Sequence, residues 1–243
     1  MRGERSFTVE VAADGEGLVS RAGAALVAQV GDKLGLTRAL SVRLAGVKQR
    51  RRGHDPGRVI RDLAVMLADG GECVCDLGVV REQRALFGLV ASDSTAFRVI
   101  DRVASEPALL GALRAAHARA RERFWKLHGA PERLTIDIDA TLITAHSDKE
   151  GAAGNYKHGY GFHPLLAYGD ETREALGGML RPGNAGANTA ADHVTVLDRA
   201  LAQIPAGYLE SLEILVRADR AGAPHELAVY CREGACASRW AMS

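Results

Sequence analysis

The sequence lacks any long apolar run and is poor in cysteine. Within its 243 residues no apolar stretch approaches the roughly 20 residues of a membrane-spanning helix. The first residues mix charges and lead into no apolar segment of the signal-peptide type. The four cysteines form two pairs, Cys73 with Cys75 and Cys231 with Cys236, and neither pair has the two-residue spacing typical of zinc ligands. These absences argue against membrane association and secretion, and they predict a cytoplasmic protein with core or incidental thiols.

The net charge of +1 hides an uneven distribution. Residues 1 to 130 contain 21 Lys and Arg against 15 Asp and Glu, whereas residues 131 to 243 contain 10 against 15. A basic first half is suited to contact with phosphate groups, and an acidic second half is suited to the handling of cations. The modest asymmetry indicates separate roles for the two halves.

The spacing of apolar residues changes from helical to strand-like after Gly129-Ala-Pro131. We therefore predict two domains, a mostly helical DNA-binding region over residues 1–130 and a second domain over residues 131–243. Proline and glycine mark several helix ends, as at Asp55-Pro56 and Gly70-Gly71. The predicted helices are two short ones between about 18 and 45, broken near Gly31 and Gly35, and single helical stretches at about 55–70, 73–86, 92–102 and 107–127.

Two features of the first half indicate nucleic-acid contact. The densest basic run is Lys48-Gln-Arg-Arg-Arg52, and a segment that begins with small hydroxyl residues at Ser92 follows later. Together with the helix before it, this second segment is typical of a helix-turn-helix. A solvated loop explains the first feature equally well, and a plain helical hairpin explains the second. The candidate DNA-binding residues in these features are Arg50, Arg51, Arg52, Ser94, Thr95, Arg98 and Arg102.

In the second half, Leu134-Thr-Ile-Asp-Ile-Asp-Ala-Thr-Leu142 is an apolar run that contains two aspartates. Because side chains alternate along a strand, Asp137 and Asp139 are predicted to project from the same face. Neighbouring carboxylates repel each other, and a bound cation relieves that repulsion. The pattern therefore indicates a metal or phosphoryl site, although two solvated acids at a strand end remain an alternative.

The order of elements after this strand is strand, strand, helix, strand. The predicted strands lie at 162–168, 175–180 and 212–219, with a helix at about 189–204 before the last one. This β-β-β-α-β order is that of a ribonuclease H-like mixed sheet, so the predicted fold class is α/β. In that topology the first and fourth strands are parallel neighbours, which would bring Asp139 close to Asp219. Carboxylates on neighbouring strands can hold a pair of hard cations.

Several blocks, in the correct order, carry a resemblance that extends from about Val9 to Ala223. The blocks are His54-Asp-Pro56, Val90-Ala-Ser-Asp-Ser-Thr95 with Arg98, Asp137-Ile-Asp-Ala-Thr141, Tyr156-Lys-His-Gly-Tyr-Gly-Phe-His-Pro-Leu165, Leu180-Arg-Pro-Gly-Asn-Ala-Gly-Ala-Asn-Thr189 with Asp192-His193, and Val216-Arg-Ala-Asp219. In these blocks the sequence resembles the DDE transposases of bacterial insertion sequences.

The resemblance implies an enzyme that binds double-stranded DNA at element ends and target sites. It implies Mg²⁺- or Mn²⁺-dependent DNA cleavage and strand transfer, and it leaves a homodimer on the DNA open. By position in the motifs, Asp139 would be the first catalytic, metal-binding acid and Asp219 the second. Asp137 is the competing choice for the first acid. Lys157 is implied to contact DNA or to support the site.

The sequence departs from the family pattern near its C-terminal end. The third acid of the family, a glutamate on a later helix, has no matching position, because Glu226 and Glu233 follow Asp219 too closely to leave room for a fifth strand. The closing run after Cys231 shows neither a strand nor a helix period. We therefore expect a ribonuclease H-like domain that is incomplete at the C-terminus, from a truncated or frame-shifted copy with little or no strand-transfer activity.

Two other functions stay open at this point. The motif Asp137-Ile-Asp139-Ala-Thr141 also matches haloacid-dehalogenase-like phosphatases, in which Asp137 would be the nucleophile and Asp139 the general acid. That fold requires alternating strands and helices after the motif, whereas consecutive strands are predicted. The other alternative is a non-catalytic remnant that only binds DNA.

Overall fold

The computed structural model describes residues 21–48, 53–186, 189–218 and 225–233. None of the helices in these ranges is long and apolar enough to cross a membrane. The helices are α1 (Ala22–Lys33), α2 (Leu36–Arg43), α3 (Pro56–Ala68), α4 (Leu77–Glu82), α5 (Arg84–Phe87), α6 (Asp93–Ser105), α7 (Pro107–His128), α8 (Ala190–Leu201), α9 (Ala206–Leu209) and α10 (His225–Glu233). The strands are β1 (Arg133–Ala140), β2 (Ile143–Thr144), β3 (Ala153–Gly154), β4 (Tyr160–Phe162), β5 (Leu165–Gly169), β6 (Glu174–Met179) and β7 (Glu213–Ala218).

Local sequence signals place the first helix boundaries. The Asp55 carboxylate caps α3 by accepting the Arg58 N–H at 3.0 Å, and Pro56 occupies the first helical position. Gly35 separates α1 from α2 with a φ of 75°, a conformation that favours glycine. The predicted break at Gly31 is wrong, since this residue lies within α1. A glycine inside a helix costs only about 1 kcal/mol, which burial of the alanine face of α1 offsets.

The single helical stretch predicted from Cys73 to Leu86 consists of three short pieces. They are the 3-10 turn Val74–Asp76, α4 and α5, and the chain leaves helical geometry at Gln83. Leu77 and Phe87, from the two α-helical pieces, are both buried. The break therefore lets both pieces face the same core.

The helices up to the middle of α7 enclose one hydrophobic core. The α2–α3 crossing within it is so close that a Cβ on Gly57 would lie 2.2 Å from the Ser41 backbone nitrogen. The Ser41 hydroxyl also donates to the Asp55 carboxylate at 2.7 Å, which joins the two helices at their ends. The large buried residues of this core include Leu40, Leu44, Val59, Met66, Leu77, Phe87 and Val99.

The main sheet has the strand order β6-β5-β1-β7. Strand β1 is antiparallel to β5 and parallel to β7, and β5 is antiparallel to β6. These four strands correspond to the four predicted ones, although Tyr160–Phe162 belongs instead to a small second sheet of order β2-β4-β3. The described residues therefore form a mixed α/β structure with helices first and a mixed sheet after them.

Alternation along β1 divides the main sheet into an apolar face and a polar face. Leu134, Ile136 and Ile138 are at most 3% exposed and belong to a second hydrophobic core with Val196 and Leu197 of α8. The intervening residues of β1 project from the opposite face. The strand that carries the two predicted acids is thus fixed by burial of its other side.

Helix α7 is tied to the sheet region by a buried arginine. Arg121 Nε donates to Glu174 Oε2 at 2.8 Å, and its Nη1 donates to the Gln203 carbonyl at 2.9 Å. The Arg121 side chain is only 1% exposed. Burial lowers the pKa of Arg121, and the neighbouring Glu174 carboxylate opposes that shift.

We expect Arg121→Met to lower the free energy of unfolding by about 3 kcal/mol, because it leaves the Glu174 carboxylate and the Gln203 carbonyl without their donor. Urea denaturation measures the change. The matched control is Arg119→Met on the same helix, whose side chain is 62% exposed, and here we expect a loss below about 0.5 kcal/mol. Equal losses in the two variants would contradict this account.

Candidate metal and DNA-binding sites

The two aspartates of β1 lie on its polar face in different surroundings. Asp137 is half-buried within the sheet, whereas Asp139 is exposed near the end of the strand. On the neighbouring strand β5, Tyr168 lies opposite Asp137 and Leu166 lies opposite Asp139. Both carboxylates face away from the apolar side that α8 covers.

Asp137 is engaged by an arginine of the parallel neighbour β7. Arg217 pairs with it in register, and the guanidinium donates through Nε to Asp137 Oδ1 at 2.6 Å and through Nη2 to Oδ2. Arg217 Nη2 also donates to Asp170 Oδ2 at 3.1 Å. The hydrogen bonds to Asp137 are the largest cause of the raised pKa of Arg217. Both oxygens of the Asp137 carboxylate are therefore committed to a cation that the chain itself supplies.

Asp139 has no such partner among the described residues. Its Oδ1 accepts the N–H of the adjacent Ala140 at 2.8 Å, and no described basic side chain pairs with it. Asp139 follows Ile138, which pairs with Ala218, the last residue of β7. The predicted second acid, Asp219, lies outside the described residues.

The turn between β5 and β6 is attached to β1 beside these acids. Glu171 accepts the Thr135 N–H at 2.6 Å and the Thr135 hydroxyl at 2.7 Å, and the Asp170 N–H donates to the Thr135 carbonyl at 2.9 Å. Burial acts to raise the pKa of Glu171, but the hydrogen bonds from Thr135 outweigh it and the pKa is lowered. The turn thereby brings Asp170 within reach of Arg217 and completes the network around Asp137.

The loop before α8 is organised by a buried arginine. Arg181 Nε donates to the His163 carbonyl at 3.0 Å, and Nη1 donates to the Gly186 carbonyl and to Asp192 Oδ2 at 3.0 and 3.1 Å. His163 is itself buried, with its Nδ1 3.0 Å from the Ala185 carbonyl oxygen. These contacts within the chain give Arg181 and His163 structural roles in the loop.

Three of the predicted DNA-binding residues share one cleft beside α6. Thr95, Arg98 and Arg102 line it together with Lys48 and His54, and the cleft has a volume of about 240 Å³. Their spacing of three and four residues places them on one side of the helix. The predicted residues Arg50, Arg51 and Arg52, which follow Lys48, lie outside the described residues.

The two arginines of this cleft differ in whether a described acid pairs with them. Arg102 forms an ion pair with Glu106 at 2.6 Å, whereas Arg98 Nη2 donates to the Thr95 hydroxyl at 3.3 Å and remains exposed. The exposed Ser94 hydroxyl lies 3.2 Å from that of Ser92. Arg98 is thus the arginine of the cleft that keeps its charge uncompensated by a described acid.

Lys157 is separate from this cleft and lies in the loop between β3 and β4. Its Nζ is 5.6 Å from the centre of the Tyr156 ring, and both side chains are exposed.

Sequence reasoning did not single out Arg217. Its place two residues before Asp219 was the available signal, because residues two apart on a strand share a face.

The comparisons with known proteins place the chain in a family. The family model described as "Transposase DDE domain group 1" matches residues 2–242. The chain belongs to this family of DDE transposases. No curated protein sequence matches it.

Among solved structures, the chain is similar to one in the crystal structure of a pre-cleavage Mos1 transpososome, with 12% sequence identity and a TM-score of 0.30. The match covers 80% of this chain and 61% of the other. The present chain thus spans less than two thirds of the length of that relative.

We expect Thr135→Val to lower the free energy of unfolding by about 1 kcal/mol at pH 7, because Glu171 loses a hydroxyl donor at a partly exposed site. A carboxyl with a lowered folded pKa stabilises the protein above its unfolded pKa of about 4.3, and this stabilisation disappears as the pH falls through the folded pKa. The difference between variant and wild type should therefore shrink between pH 7 and pH 3.

Urea denaturation at the two pH values measures this difference. Thr144→Val is the matched control, since Thr144 is an exposed strand residue, and its effect should stay within about 0.5 kcal/mol at both pH values. A Thr135→Val effect that is the same at pH 7 and pH 3 would count against the role of the Glu171 charge.

Proposed function

We propose that this chain is the DNA-binding and catalytic part of a transposase of a bacterial insertion sequence. Residues 1–130 form the DNA-binding domain, and residues 131–243 form a ribonuclease H-like domain with Asp139 and Asp219 as its first two metal-binding acids. The observation that carries the proposal is the parallel register of β1 with β7, in which Ile138 faces Ala218. The proposal extends this register by one residue, which would place Asp139 beside Asp219.

The described half of this site has the chemistry that a hard divalent cation requires. Asp139 offers exposed carboxylate oxygens without a described basic partner, whereas Asp137 already has one in Arg217. Mg²⁺, or Mn²⁺ in its place, prefers such oxygen ligands. When bound, a pair of these cations activates a water or 3′-hydroxyl for in-line attack and stabilises the leaving oxygen.

We assign Asp137 a positioning role in this proposal. Its bidentate contact with Arg217 joins β1 to β7 two residues before Asp139, the proposed metal ligand. The same guanidinium reaches Asp170 in the turn after β5. The network thus holds the ends of both strands in register. It also directs the Arg217 charge to Asp137 and Asp170 rather than to Asp139.

DNA contact is assigned to the cleft beside α6, to the basic run at residues 50–52 and to Lys157. Exposed arginine at the cleft supports binding to phosphate groups, and the small hydroxyls of Ser94 and Thr95 supply further donors. The proposed partner is double-stranded DNA, both at the element ends and at the target. A homodimer on the DNA fits two such ends brought together.

Strand-transfer activity requires a further acid in addition to the two proposed metal ligands. The resemblance implies a third acid after a fifth strand, and Glu226 and Glu233 lie on α10, the next described element after β7. We therefore expect these 243 residues to bind divalent cations but to show weak strand transfer. Retention of DNA without nicking would favour the non-catalytic alternative.

The phosphatase alternative receives no support from the described fold. The strands that follow β1 in the main sheet, β5 and β6, are antiparallel neighbours rather than members of alternating strand–helix units. The nucleophile of that mechanism would also be Asp137, whose two oxygens are held by Arg217.

We expect Asp139→Asn to weaken Mn²⁺ binding at least about tenfold, because it removes a direct carboxylate ligand. Isothermal titration or electron paramagnetic resonance of the full chain measures the affinity. Asp148→Asn is the control, since it removes an exposed carboxylate between β2 and β3 that takes no part in the Arg217 network; its affinity should stay near that of the wild type. Equal weakening in both variants would mean that Asp139 is not a ligand.

We expect Arg98→Ala to weaken binding to DNA that carries the element ends, and to reduce the slope of log affinity against log salt concentration by about 0.9 if one phosphate contact is lost. Fluorescence anisotropy over a salt series measures both quantities. Arg119→Ala, which removes an exposed arginine of α7, serves as the control and should leave the slope nearly unchanged. An unchanged slope for Arg98→Ala would exclude a phosphate contact by this arginine.

A further inference from the structure

Two thiols and a carboxylate converge in the segment between α3 and α4. Cys73 Sγ lies 2.9 Å from Cys75 Sγ and donates to Asp76 Oδ2 at 3.1 Å. Possible ligand atoms of all three residues lie within 4.8 Å of one another. Both cysteines are exposed, so of the two expectations, core or incidental thiols, a core position does not hold for this pair.

The segment is held in this shape by its own backbone. Asp76 Oδ2 accepts the N–H groups of Glu72 and Cys73 at 2.9 and 3.0 Å, and the Asp76 N–H donates to the Cys73 carbonyl. Gly71 permits the close turn, because a Cβ there would lie 2.7 Å from Met66 Cγ. The carboxylate therefore has a fixed orientation before any ligand binds.

We propose that Cys73, Cys75 and Asp76 form a binding site for a soft or borderline divalent cation, with Zn²⁺ as the best match. Two thiolates and one carboxylate supply three ligands, and water occupies the fourth tetrahedral position. Sulfur donors favour Zn²⁺ over Mg²⁺, so this site is distinct in chemistry from the oxygen site at Asp139.

The distances suit this cation after a small adjustment. Zn–S bonds of about 2.3 Å place two sulfurs about 3.8 Å apart at the tetrahedral angle. The Cys73 and Cys75 sulfurs must separate by less than about 1 Å from their present 2.9 Å. Exposed side chains reach that separation by small rotations. On binding, both thiols release their protons to solvent and the sulfurs coordinate as thiolates.

A cavity of about 410 Å³ adjoins the cluster, and it is lined in part by Cys73, Asp76, Arg21 and Asp69. Arg21 is already paired with Asp69. The arginine charge is thus directed to another carboxylate, and the cavity gives an ion access to the Cys73 thiol. A bound cation would fix the shape of the segment between α3 and α4.

The test is a Co²⁺ titration of the metal-free, phosphine-reduced full chain. We expect one equivalent of Co²⁺ to produce thiolate-to-metal charge-transfer absorption, and Zn²⁺ to displace it. The double variant Cys73→Ser/Cys75→Ser should lose the absorption, and Asp76→Asn should weaken binding at least about tenfold. The control Cys231→Ala/Cys236→Ser removes the other two cysteines and should retain the absorption.

Absorption that survives in the double variant, or that disappears in the control, would overturn the assignment. So would reduced wild-type protein that gives no absorption with Co²⁺. X-ray absorption of zinc-loaded wild-type protein provides a readout that does not depend on variant folding, with two sulfur and two oxygen neighbours expected. A first shell without sulfur, or with four sulfurs, would also overturn it.

Discussion

The parallel pairing of β1 with β7 is the constraint on which the candidate catalytic site depends. It joins segments 80 residues apart and is stabilised by burial of the apolar residues of both strands in the second hydrophobic core. A shift by one residue would move every side chain of a strand to the opposite face. The buried Ile136 and Val216 therefore set the register that also aligns Asp137 with Arg217.

This register gives two similar aspartates different chemistry. Asp137 and Asp139 lie on one face of one strand, but among the described pairs of β1 and β7 it is Asp137 that lies opposite an arginine. A carboxylate with a bidentate guanidinium is satisfied within the chain, whereas an exposed one without it remains available to a cation. The difference between a positioning acid and a proposed ligand thus arises from the neighbouring strand rather than from the motif.

The two proposed metal sites differ in the way that the chain builds them. The site at Asp139 needs distant strands and hence the complete sheet, while the Cys73 site comes from four consecutive residues held by backbone hydrogen bonds. Oxygen ligands at the first select a hard cation, and sulfur ligands at the second select a softer one. The first serves the proposed chemistry, and the second would fix the local segment between α3 and α4.

The sequence by itself determined the division into helices and strands, the pair of aspartates on one strand and the family, because apolar periodicity and motif order are local properties. The positions of α3, α6 and β1 followed from caps and alternation. Only the tertiary structure decided that the Arg217 guanidinium pairs with the Asp137 carboxylate. It also decided that the Cys73 thiol contacts Cys75 and Asp76. Such partnerships depend on strand register and on the path of the backbone, which residue spacing alone does not specify.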